Sequence, residues 1–419
     1  MPTDVQSPET AAEPVVAEER PSTVVPATPV ALLTGGIDRP YAFGITVALG
    51  SRGVPVDVIA GTELDCEEIR RLPSVTFRNL HGDLRRVKGL AKKLLFHLSV
   101  YARLIGYSLA ARPKIFHILW NYKFELFDRT VLMLYYKLLG KKIVLTAHNV
   151  NAATRDGNES AINRLSLKMQ YRLTDHIFVH TDAMKAELVK QFSVRSDAVT
   201  TIPFGVNNSV PDTELTTAEA RQRLGLRDGD KAILFFGRLR PYKGLHHLVD
   251  AFARLAAQDR SYRLIIAGEP KKDTFEYWNE LCQTMDEQPW SEQVIREARY
   301  IRDEETELFF KAADVVVLPY TSIFQSGVLF LGYSFGLPVI ATDVGSLGDD
   351  IVEGETGFTC RPSDVPDLEQ AIRRYFASDL YRNLEQRRPA IRAFVASRNS
   401  WQAVSETTQK VYADLLAAR

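Results

Sequence analysis

Two doubly wound α/β units in tandem, facing each other across a cleft, are the fold class that the sequence predicts. Three observations carry that expectation. The chain has 419 residues, more than one ordinary core accommodates and enough for two. From Pro29 onward, short apolar runs bounded by Gly and Pro alternate with helix-length segments, the texture of a parallel sheet with crossover helices. The same texture restarts near Ala232, after a stretch from Pro203 to Thr216 rich in Pro, Asn and Thr.

Residues 1–27 hold five prolines and five acidic residues against one basic, Arg20, so a disordered tail is expected there. The first unit, 28–205, has strand candidates at Val30 to Leu33, Val56 to Ile59, Ile115 to Leu119, Ile143 to Thr146, Ile177 to His180 and Val199 to Ile202. The second, 206–399, has them at Ala232 to Phe236, Arg263 to Ala267, Tyr300 to Ile301, Val315 to Leu318, Val339 to Ala341 and Gly357 to Thr359. Between them, Leu245, Leu248, Val249, Phe252 and Leu255 fall on one helical stripe. A last helix, about 400–419, is expected to pack back on the first unit. Open sheets of this kind bind ligands beyond the carboxyl ends of their strands, so the loops there are where chemistry is sought.

Composition narrows the classes. Lys plus Arg and Asp plus Glu are both 52, so no global field recruits nucleic acid. Cys66, Cys282 and Cys360 are far apart and suggest neither a disulfide framework nor a zinc site. The most apolar stretch, Leu94 to Ala111, is interrupted by His97 and Arg103, so no membrane span is expected. Asp4 and Glu9 stand where a signal peptide carries positive charge, and a cytoplasmic location follows as an expectation.

The segment Gly237-Arg238-Leu239-Arg240-Pro241-Tyr242-Lys243-Gly244 joins a strand to an amphipathic helix. Glycine lets a polyanion approach the backbone, the Arg fork holds two phosphate oxygens, and Lys adds a point charge near a helix start. A diphosphate suits this loop; a solvated basic loop fits the same spacing. Thr34-Gly35-Gly36 after the first strand fits either a turn close to a ligand or a plain strand-to-helix turn. His148 follows the strand ending at Thr146 and faces the expected cleft.

Gly237-Arg238-Leu239 with Lys243-Gly244, then Leu264 to Gly268, Ala312 to Pro319 and Gly336-Leu337-Pro338-Val339-Ile340-Ala341-Thr342, resemble in order and spacing the family-4 glycosyltransferases. The resemblance runs from about residue 30 to the end of the chain and implies the GT-B fold, two Rossmann-like domains facing a cleft. It implies that Arg238 and Lys243 hold the diphosphate of a nucleotide sugar, that Gly35, Gly36 and Gly237 let the donor approach, and that His148 orients the sugar without acting as a general base. It further implies hexosyl-type transfer with retention to a glycan or lipid-linked acceptor, with no metal and no cofactor beyond the nucleoside-diphosphate sugar. No Asp-x-Asp pair flanked by apolar residues is present.

The chain departs from the family where most relatives carry two glutamates: Ile323 and Leu331 stand there. Gln325-Ser326-Gly327 lies between them, as in a subset of bacterial members associated with exopolysaccharide or surface-glycan assembly, and is expected to help bind the donor. Gln325 is expected to hydrogen-bond a sugar through both ends of its amide. Asp349 falls where relatives often have a glutamate, and a helix cap is an equal alternative. Arg155 and Asp156 suit a hydroxyl-rich acceptor, or are surface residues of a polar loop. The two lost carboxylates motivate a second class of function, a catalytically silent nucleotide-sugar or glycan binder. A dinucleotide-dependent oxidoreductase would need a Gly-x-Gly-x-x-Gly pattern that neither unit has.

Residues 83–114 contain eight basic residues and one acidic. On a helical projection Val87, Ala91, Leu94, Leu98, Ala102, Ile105 and Leu109 share one face, with Arg85, Lys88, Lys92, Arg103 and Phe96 opposite. A helix docked on the sheet by its leucines, with a solvated basic face, fits this pattern; so does peripheral contact with an anionic membrane.

Overall fold

In the computed structural model, residues 29–36, 38–84, 87–207 and 210–418 are described. The tail expected over 1–27 lies outside the described residues, as does Arg85. Aliphatic and β-branched runs form two all-parallel sheets. The first contains β1 (Val30–Leu33), β2 (Val56–Gly61), β3 (Val75–Gly82), β4 (Ile115–Ile118), β5 (Lys142–Thr146), β6 (His176–Val179) and β7 (Val199–Thr201), in the order β3-β2-β1-β4-β5-β6-β7. The second contains β8 (Lys231–Phe236), β9 (Tyr262–Ala267), β10 (Val294–Glu297), β11 (Val315–Leu318), β12 (Val339–Thr342) and β13 (Gly357–Cys360), in the order β10-β9-β8-β11-β12-β13. Central strands such as β1, β4, β11 and β12 are buried throughout. Helices cover both faces, which is why those strands read as unbroken apolar runs rather than as alternation.

Two strands differ from expectation. β3 went unpredicted because it is an edge strand whose exposed Thr76, Arg78 and Asn79 break its apolar run. The strand expected at Tyr300–Ile301 is a loop; β10 lies earlier, and its Arg296 and Glu297 disguised it.

In the N-terminal domain, α1 (Arg39–Ser51) lies on one face of the sheet. The other face carries α2 (Leu90–Ala110), a helical segment over 125–138 ending in α3 (Met133–Leu138), then α4 (Ala161–Leu173) and α5 (Asp182–Phe192). In the C-terminal domain α6 (Thr217–Arg223), α7 (Leu245–Ala256), α8 (Phe275–Asp286), α9 (Asp303–Ala312), α10 (Gly327–Ser334), α11 (Val365–Ala377) and α12 (Leu384–Arg398) surround the second sheet. The final helix, α13 (Trp401–Ala417), packs on α1 of the N-terminal domain. Its Trp401 fills a slot that exists because two neighbours lack side chains: a Cβ on Gly44 or Gly205 would come within 2.1 and 2.4 Å of the indole. The Trp401 indole N–H donates to the Val206 carbonyl at 2.7 Å, and the Asn399 amide donates to the Phe204 carbonyl at 2.9 Å.

α2 does not dock as its leucine pattern predicted. Its buried residues are His97, Val100, Tyr101, Leu104 and Ser108, an arc beside the expected one, while Leu94, Leu98 and Leu109 are 51%, 50% and 65% exposed. Tyr101 ring contacts with Phe124 and Phe127, and a hydrogen bond from Tyr107 to Asp57, select this arc over the purely aliphatic one.

Candidate functional site

In each sheet the strand order reverses direction beside the first strand of its domain, between β1 and β4 and between β8 and β11. Crevices form beyond the carboxyl ends at such points. The two crevices face one another and enclose a cavity of about 670 Å³, in the range of small-molecule sites. Arg39 closes its rim with an ion pair to Asp303 across the domains at 2.6 Å, and Arg155 lies 4.3 Å over the ring of Tyr242.

The basic loop after β8 forms one wall. Gly237 has φ +105°, and a Cβ there would sit 2.9 Å from Lys243 Nζ, so glycine makes room for the ammonium. Lys243 is 9% exposed, and its Nζ lies 5.3 Å over the Tyr320 ring. Burial foremost, with Arg238, Arg155 and Arg240 adding repulsion, pulls its ammonium below the ordinary lysine value. Arg240 is neutralised by Asp273 at 3.1 Å. Arg238 and Lys243, in contrast, form no ion pair among the described residues, and both line the cavity. Asp38, the cap of α1 on the opposite wall, feels Arg238, but burial dominates and raises its carboxyl above the usual range.

His148 lines the facing wall, after β5. Trp120 stacks parallel on its ring at 4.0 Å, Tyr41 sets a ring edge-on at 4.6 Å, and His180 Nε2 shares a hydrogen with His148 Nδ1 at 3.0 Å. His148 Nε2 is buried and without a partner. Burial first, then His180 and His117, hold the imidazole neutral by depressing its pKa far below the histidine value.

The loop from β11 into α10 forms the floor. Ser326 is buried and stands at the N-cap of α10, and Ser326 and Gly327 line the cavity. Gln325 is expected to bond through both ends of its amide, but its Nε2 already donates to Asp350 at 3.3 Å, leaving Oε1 buried and unpartnered. Ile323 and Leu331 turn apolar surface to the cavity.

The cavity thus gathers Gly36, His148, Arg155, Arg238, Lys243, Gln325, Ser326 and Gly327. Four expected residues stand off it. Gly35 (φ +63°) turns away, where a Cβ would come 2.6 Å from the Trp120 carbonyl, and Gly237 backs Lys243. Asp156 pairs with Arg155 at 2.8 Å. Asp349 is exposed within a short 3-10 turn, neither on the cavity nor at a cap; its neighbour Asp350 meets Gln325 instead. Sequence reasoning missed Asp38, Trp120 and Tyr41. Trp120 lies just past the end of β4 and was open to the same strand-end logic that selected His148.

Comparison with known proteins agrees with this geometry. Residues 35–210 match the family described as Glycosyltransferase Family 4, and residues 216–394 match Glycosyl transferases group 1. The fold is that of solved GT-B glycosyltransferases: sucrose-phosphate synthase from Thermosynechococcus elongatus superposes with TM-score 0.74 at 20% identity over 94% of this chain and 100% of that one. Anabaena Alr3699/HepE in complex with UDP-glucose gives TM-score 0.69 at 17% identity over 94% of this chain and 100% of that one. The chain is therefore family-4-like and GT-B, with a Glycosyltransferase Family 4 domain followed by a group 1 domain. Among curated proteins it is similar to the D-inositol 3-phosphate glycosyltransferase of Corynebacterium diphtheriae, at 28% identity over 65% of each chain. The match thus spans just under two thirds of that relative's length.

Proposed function

We propose that the chain transfers a hexosyl group from a nucleoside-diphosphate sugar, with retention and without a metal, to a hydroxyl of a glycan or lipid-linked acceptor. The observation that carries this is the pair Arg238 and Lys243, which form no ion pair among the described residues and line one cavity with His148, whose imidazole burial keeps neutral. Negative charge grows on the leaving β-phosphate as the anomeric carbon becomes cationic. Two fixed cations hold that charge more strongly in the transition state than in the ground state, worth about 3 kcal/mol per donor in comparable sites. A neutral imidazole beside a carbon gaining positive charge orients the sugar without repelling it.

With Ile323 and Leu331 apolar, ribose recognition falls to Gln325 Oε1 and backbone groups. Resemblance around Gln325-Ser326-Gly327 supports a place in exopolysaccharide or surface-glycan assembly, on the cytoplasmic side. The same two apolar positions favour a second function, silent binding of a nucleotide sugar.

Thermal shift against a panel of nucleotide sugars tests the donor, beginning with UDP-glucose because the Anabaena neighbour was solved with it. Release of nucleoside diphosphate in the presence of a lipid extract tests turnover. Turnover lost in Arg238→Ala, by roughly 100-fold or more, excludes the silent binder. No shift with any nucleotide sugar defeats both.

A further inference from the structure

Seventeen large hydrophobic side chains are exposed among the described residues, and all but two, Phe275 and Tyr300, lie in the N-terminal domain. They concentrate on the helix layer formed by α2, the segment over 125–138, and α4. These helices lie side by side: Tyr135 donates to the Ile105 carbonyl at 3.1 Å, and Arg129 donates to Asn163 at 2.8 Å. Leu138 (79% exposed) and Leu165 (68%), on the neighbouring helices of this layer, are bare like the stripe of α2.

The first turns of α2 are the extreme case. Residues 90–95, Leu-Ala-Lys-Lys-Leu-Leu, include no buried residue, and Leu90 and Leu95 are 88% and 65% exposed. Lys88, Lys92 and Lys93 are exposed beside them and pair with no carboxylate among the described residues. No Asp or Glu occurs between Asp83 and Glu125. This part of α2 stands at the cleft end of the domain, because His97 lies 3.0 Å from Tyr122 Oη, two residues beyond Trp120 of the cavity wall.

We infer that this face docks on an anionic lipid bilayer, its leucines among the headgroups and its lysines on the lipid phosphates. The docking rests on α2 and its neighbours. It deepens the transfer proposed above by making the acceptor a hydroxyl carried at the bilayer surface, within reach of the cleft mouth. Charge selects the occupant: a second copy of the same face would set lysines against lysines, whereas acidic headgroups complement them while the leucines leave water. Among the described residues no helix is long and apolar enough to cross a membrane, so the contact is peripheral.

Co-sedimentation of the full chain with phosphatidylcholine vesicles, with and without phosphatidylglycerol, tests this. Binding is expected only with phosphatidylglycerol. Lys88→Glu/Lys92→Glu/Lys93→Glu should lower the partition coefficient by at least about 100-fold, since losing each lysine alone removes about 1 kcal/mol and the new carboxylates add repulsion. Leu94→Ser/Leu98→Ser should lower it about tenfold. All five side chains are exposed, and an unchanged thermal unfolding transition in each variant checks that the fold persists. Absence of binding to acidic vesicles overturns the inference, as does binding that neither set alters, or a dimer that Leu94→Ser/Leu98→Ser dissolves. Failure of the unaltered chain to bind acidic vesicles, with its donor shifts intact, counts against membrane docking alone; vesicle binding by the unaltered chain without any donor shift counts against the donor alone.

Discussion

The two domains share a parallel sheet between helices, yet they differ in what they bury and in what they show to solvent. The C-terminal domain packs around one continuous core from Ala220 to Val395 and, among the described residues, leaves only Phe275 and Tyr300 as large exposed apolar side chains. The N-terminal domain divides its core between the two faces of its sheet, holds six of the eight histidines, and exposes a row of leucines. One half is finished as a cup for a charged ligand, and its unmet needs, the Lys243 ammonium and Gln325 Oε1, face or adjoin that cup. The other carries its unmet needs on the outside, as apolar surface, and in its interior, as imidazoles that must stay neutral.

Acid should separate the halves most sharply. Burial depresses the pKa of His81 and His180 to about 4 and that of His117 to about 3. A depressed histidine contributes stability that is complete above about pH 6.5 and drains away as pH falls toward the folded value. Asp128, raised to about 6 by burial, acts with the opposite sign and offsets part of the loss. Each of the three histidines therefore costs the N-terminal domain about 2 kcal/mol at pH 5. Hydrogen exchange should show β4 and β6 opening before β8 and β11; simultaneous opening would erase the contrast.

A smaller effect tests how far the N-terminal domain depends on α13. Trp401→Ala empties the slot beside Gly44 and Gly205 and should cost about 3 kcal/mol in denaturant unfolding, with the loss confined to that domain. Lys243→Met tests the tension in the other half. Removing a buried ammonium repelled by its neighbours should raise ligand-free stability by about 1 kcal/mol while donor binding disappears. Calorimetry with and without nucleotide sugar reads both. The smallest effect belongs to the rim: Arg39→Ala removes a partly exposed pair with Asp303 and should change stability by about 0.5 kcal/mol.

The fold was legible because buried parallel strands write themselves as apolar runs, and it failed where that rule lapses, at the edge strands β3 and β10. At the site, residue types that hold phosphate stood out after β8, but sequence could not separate Arg238, left free, from Arg240, taken by Asp273. Nor could it see that Asp350 rather than Asp349 meets Gln325, since a one-residue offset in a 3-10 turn depends on packing. The leucines of α2 misled for a related reason. Periodicity finds an apolar face but does not say whether protein or something else will cover it.

The chain crosses between the domains twice, near Phe204–Val206 and again at Asn399–Trp401, and the crossings are laced together by the Asn399 amide and the Trp401 indole. Two crossings fixed side by side define a line, where a single linker would define only a point. The domains are left one easy freedom, a rotation about that line, which lies at the Trp401 end of the cleft. A rotation about that line would lengthen or shorten the distance between Arg238 and His148 like the jaws of a hinge, without sliding one wall past the other.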